Sequence, residues 1–109
     1  MTNIRMGARV ARNLQTTEHA VDAAMVATSC LIQTMLEARA DARLAAEVGQ
    51  VALSEMVSSL SQLNDVRQAV VAGHRALAEV ADNQGIAWRL EGPLEEKVKP
   101  TAVVVSVAA

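Results

Sequence analysis

From about Glu18 to Asp82, apolar residues recur at alternating intervals of three and four. That spacing keeps side chains on one face of a helix. One seam reads Val21, Met25, Thr28, Ile32, Met35, Arg39, Ala42, Ala46, Gly49, Leu53, Met56, Leu60, Leu63, Arg67, Val70, His74, Leu77, Ala81, and 13 of its 18 positions are apolar. A neighbouring column, Ala24, Leu31, Ala38, Ala45, Ala52, Ser59, Val66, Gly73, Val80, is small and largely apolar. The opposite column, Val26, Gln33, Ala40, Glu47, Ser54, Ser61, Gln68, Arg75, Asp82, is mostly polar. The pattern predicts an all-α protein.

Its limits follow from local signals. Thr16 or Thr17 can cap the first turn with a hydroxyl, and Glu18 and Asp22 suit the positive end of a helix dipole. Asp82-Asn83-Gln84-Gly85 is a stop, because Asn and Gly tolerate the left-handed conformation that ends helices. One unbroken helix between these signals would extend on the order of 100 Å. A break is therefore expected where the seam loses its large residues, from Arg39 through Gly49. Gly49 is the candidate, since glycine costs about 1 kcal/mol inside a helix. Folding about Gly49 brings His19 near Glu79, Asp22 near Arg75 and Arg43 near Glu55. Two unbroken helices crossing antiparallel at Gly49 would make the same pairs between chains.

The chain then divides into a basic N-terminal arm over 1–15, a helical hairpin over 16–84 with its turn near 49, and a C-terminal tail over 85–109. Arg5, Arg9 and Arg12 make the arm cationic and are candidate partner contacts, as is Trp88 in the tail. The last residues, Thr101 to Ala109, are rich in β-branched side chains suited to extended pairing. The ending Val-Ala-Ala resembles the short apolar tails that bacterial ATP-dependent proteases recognise.

Composition changes the picture in one respect. Among 109 residues Trp88 is the sole aromatic, with no Phe or Tyr. Aromatic side chains supply the largest buried areas in a core. A single hairpin must rely on Ala, Val, Leu and Met, and that deficiency points to self-association. The formal net charge of −2 argues against a specific nucleic-acid partner. The single Cys30 allows no intramolecular disulfide and fits a reducing compartment. No apolar run approaches the roughly 20 residues of a membrane span, and residues 1–15 lack a secretory hydrophobic stretch. A cytoplasmic location is expected.

Candidate chemistry is sparse. His74, between Gly73 and Arg75, suggests a phosphorelay histidine, but the Lys and small residue that usually follow such a histidine are replaced by Arg75-Ala76-Leu77. A partly buried histidine in a helix contact is the plainer reading. His19, Asp22 and Glu18 fall short of the ligand set that zinc requires. Cys30 has no cation within a helical turn to activate it, so a small buried hydrophobe is expected there. No phosphate loop, nucleophile elbow or Walker sequence occurs. Neither an enzyme nor a cofactor is expected. Met25, Met35 and Met56 form a thioether strip of the kind that adaptable binding surfaces use.

The architecture expected is a long helical hairpin assembling into a homodimeric four-helix bundle. Three apolar columns of seven exceed what a two-stranded coil needs and match a bundle. The expected oligomer interface is Met25, Ile32, Met35, Leu53, Met56, Leu60, Leu63, Val70 and Leu77. The expected function is a non-enzymatic interaction or scaffold protein whose partners are a second copy and another protein. In composition, the Ala-rich amphipathic helices resemble phasins and other bacterial helical scaffold proteins. That resemblance implies an alternative, an apolar-ligand or granule-surface binding module.

Overall fold

A computed structural model describes residues 2–86, with side chains from residue 4 onward. It holds two helices, α1 (Thr2–Asp41) and α2 (Gln50–Gln84), joined by a turn over residues 42–49. The described residues are thus an all-helical hairpin with no strand. The tail residues after 86, Trp88 included, lie outside the described residues.

Helix α1 begins at Thr2, well before the expected cap at Thr16 or Thr17. The expected separate arm is therefore part of the same helix. The reason is in the sequence: the three-and-four spacing extends upstream through Ile4, Gly7, Ala11 and Leu14, and no proline interrupts it. Glu18 is not in a first turn but sits mid-helix on the half-buried side.

The turn closes α1 with a six-to-one backbone bond. Leu44 N donates to Arg39 O at 3.1 Å and Arg43 N donates to Ala40 O at 3.1 Å. Arg43 takes the left-handed conformation at φ 58° that this motif requires at the first residue beyond the helix cap. Arg39 Nη1 also donates to Leu44 O at 2.9 Å, occupying a carbonyl of the turn. Gly49, at φ +80°, opens α2, and its carbonyl accepts from Leu53 N at 2.9 Å. The expected glycine is thus the last residue of the turn and not its centre. The same C-terminal motif ends α2: Gly85 is at φ +65°, and Ile86 N donates to Ala81 O at 2.8 Å.

This displacement changes the register. Arg67 Nε donates to Asp22 Oδ1 at 2.8 Å, in place of the expected Asp22–Arg75 pair. Asp22 meets a residue about two helical turns earlier on α2, because the eight turn positions all precede α2 instead of flanking Gly49.

The structure forms two compact units. Residues 16–73 make the unit containing the turn. In it α1 sets Val21, Ala24, Met25, Thr28, Ile32, Met35 and Arg39 half-buried, and α2 sets Leu53, Met56, Ser59, Leu60, Leu63 and Val70 half-buried. The other unit joins the start of α1 to the end of α2, and its described part is 2–15 with 74–86. It contains the residues in the buried class among those described, Gly7, Ala11 and Ala81, all of them small.

Candidate functional site

The nine expected interface residues all lie on the half-buried stripe, and none is fully buried. Met25, Ile32, Met35, Leu53, Met56, Leu60, Leu63 and Val70 belong to the unit of 16–73, and Leu77 to the other. Among the described residues no large side chain is fully buried. The apolar stripe is therefore the candidate site: its side chains meet within the hairpin, yet each keeps part of its surface in water.

The hydroxyls inside the stripe are satisfied locally. Thr28 Oγ1 donates to Ala24 O at 2.8 Å, and Ser59 Oγ donates to Glu55 O at 2.9 Å. A hydroxyl that bonds back to its own helix has its donor occupied and can enter an apolar contact at little cost. Thr28 and Ser59 thus continue the stripe instead of breaking it.

The two sides of the stripe in the 16–73 unit differ in charge. In a helix, the position after a seam residue and the position before the next one flank the seam on opposite sides. One side carries Asp22, Ser29 and Leu36 on α1 with Gln50, Val57, Asn64 and Val71 on α2. The Asp22–Arg67 bridge belongs to that side, with the two side chains 54% and 51% exposed. The other side carries Thr17, Ala24, Leu31 and Ala38 on α1 with Ala52, Ser59, Val66 and Gly73 on α2, none of them charged. Leu31 and Val66 stand there, each 46% exposed. They belong to the small apolar column evident in the sequence but fall outside the nine residues expected at the interface.

Next to the turn lies an open cleft of about 230 Å³ between Met35, Leu36, Val48 and Leu53, with Arg39 and Gln50 at its polar edge. Part of the thioether strip reaches it through Met35. Arg5 and Arg9 are exposed on α1, as is Arg12, which also makes a contact. His74 is half-buried on the stripe and makes a contact of its own. Cys30 is exposed, contrary to the buried position expected. It sits on the far face of α1, one position beyond Ser29, where the adjacent Leu31 turns back towards the seam. No group of three or more His, Cys, Asp or Glu side chains placed to hold a metal occurs among the described residues.

Within Ile4–Asp41 the helix is long and apolar enough to cross a membrane by length and composition alone, a test that helices of soluble proteins pass as well. No charged residue falls between Asp22 and Glu37, and the scattered Thr, Ser and Gln of that stretch hide the run from a count of consecutive apolar residues. The chain matches no protein-family model, no curated protein and no solved structure.

Proposed function

We propose that the protein is a non-enzymatic interaction or scaffold protein that acts through self-assembly, as a homodimer of hairpins forming a four-helix bundle, and through binding of a further protein. The observation that carries this reading is the lack of any fully buried large side chain among the described residues. Stability scales with apolar area removed from water, at about 25 cal/mol per Å². A lone hairpin removes only one side of each Leu and Met, whereas a second hairpin covers the remainder. Both helices end in closed C-terminal motifs, at Arg43 and at Gly85, so the surplus apolar surface of the stripe, and not a frayed helix end, is what supports a second hairpin.

Light scattering on the full chain tests this. The expected mass is twice that of the protomer, with a thermal midpoint that rises with protein concentration, because assembly stabilises by mass action. A protomer mass together with a concentration-independent midpoint overturns it.

A second reading is favoured by the apolar, largely unburied course of α1: attachment to an apolar ligand or granule surface. Val26, 63% exposed, and Leu36, 44% exposed, would lie against such a surface. Co-sedimentation with lipid-coated granules tests it, and recovery of the whole protein in the supernatant overturns it.

A further inference from the structure

We infer that the second copy docks on one particular side of the hairpin in the 16–73 unit, the side presenting Leu31 and Val66, and leaves the Asp22–Arg67 side in water. This deepens the self-assembly reading above and rests on it. Two observations select the side, and a third gives it the size of an interface. The first is charge. The bridge between Asp22 and Arg67 is hydrated on its own side, and covering it would strip water from two ions whose mutual attraction repays that loss poorly. The opposite flanking column has no ion to desolvate from Thr17 to Ala38 or from Ala52 to Gly73.

The second is hydrogen bonding. The polar group on the selected side of α2, Ser59, is already bonded to its own helix at 2.9 Å. On the opposite side the amide of Asn64 is exposed and would need new partners if covered. The third is area. At 1.5 Å per residue the α1 part of this unit is about 39 Å long, and two helices side by side span about 20 Å. Such a face offers about 800 Å² per copy, which matches the roughly 1,600 Å² total of a standard stable interface. Its small residues let the partner's helices approach closely, and Leu31 and Val66 supply the bulk that fills the contact.

Charge insertion on the full chain distinguishes the sides. Leu31→Glu and Val66→Glu are expected to halve the light-scattering mass at micromolar concentration. Leu36→Glu and Val57→Glu, on the bridge side, are expected to keep the wild-type mass. Thiol labelling covers the case in which a charged variant loses its helicity. In a Cys30→Ser background, Leu31→Cys should react with a maleimide at least tenfold more slowly than Leu36→Cys, and the two rates should converge on dilution to the protomer. A wild-type protein that weighs one protomer overturns the self-assembly reading itself. A wild-type dimer that survives Leu31→Glu and Val66→Glu but is dissociated by Leu36→Glu and Val57→Glu, or in which Leu31→Cys labels as fast as Leu36→Cys, overturns the choice of side alone.

Discussion

Arg43 is the residue at which the hairpin can be tested most directly. It adopts φ 58°, a conformation that places the β-carbon of any L-residue too close to the following carbonyl. The cost is roughly 1–2 kcal/mol for a non-glycine residue. Arg43→Gly removes that cost but adds about 0.5–1 kcal/mol of backbone freedom lost on folding. The net gain expected is about 0.5–1 kcal/mol, or a midpoint rise of about 2–8 °C for a domain of this size. The Arg43 side chain is exposed, so its removal should itself matter little. Arg43→Ala is the reference, since it discards the same side chain and keeps the strained backbone.

The comparison is read by thermal melting under circular dichroism at one fixed protein concentration. If the chain is a hairpin, Arg43→Gly melts above Arg43→Ala. If the helix instead runs unbroken through this region and two chains cross, position 43 is helical and glycine costs about 1 kcal/mol relative to alanine. The order of the two melting points would then reverse. A reversed order, or no difference, refutes the turn derived from the Leu44–Arg39 and Arg43–Ala40 backbone bonds. The sign therefore decides the topology, whatever the exact magnitude.

Gly49→Ala should lower stability by about 1 kcal/mol by backbone strain alone, because nothing lies within 4 Å of an added β-carbon at φ +80°; an unchanged midpoint would contradict the turn geometry. A double-mutant cycle with Asp22→Ala and Arg67→Ala should give a coupling of about 0.2–1 kcal/mol that vanishes in 1 M salt. The same cycle with Arg75→Ala in place of Arg67→Ala should give none, and coupling to Arg75 would restore the register centred on Gly49. Leu60→Ala, at a half-buried position, should cost about 1–3 kcal/mol, and Leu60→Glu should lower both mass and midpoint; if neither moves, the seam is misassigned. Cys30 should react completely with a maleimide in the native protein, and protection of that thiol would place an interface on the far face of α1.

The helices were legible because a three-and-four spacing leaves a stretch free of proline few other ways to bury Leu and Met. The stop at Gly85 was legible for a local reason, since glycine takes positive φ without strain. The start was not. Thr16 and Thr17 carry the chemistry of a cap, yet the stripe continues behind them through Leu14, Ala11 and Gly7, and packing outweighs a cap of about 1 kcal/mol. The turn was located but not centred, because its left-handed residue is Arg43. Arginine carries no signature for that conformation, and only the bonds around Arg39 and Leu44 reveal it. An error of a few residues in the turn then moved every cross-helix pair, which is why Asp22 meets Arg67 and not Arg75.

The candidate surface shows the same division between pattern and placement. Three apolar columns announce a surplus of apolar surface, but a helical repeat is blind to which column faces the sister helix. That choice depends on how each helix rotates when the turn closes. The Asp22–Arg67 bridge lies on one flank with its side chains about half exposed, and covering it would cost desolvation that the attraction of the pair repays poorly. Arg67 occupies a seam position, so its guanidinium had to leave the seam on one side or the other. By joining Asp22 it leaves Leu31, Ser59 and Val66 on a flank without ions. A charged residue within an apolar repeat thus gives the hairpin two unlike sides. That asymmetry argues for docking through one of them, since a second hairpin can cover the uncharged flank without removing any ion from water.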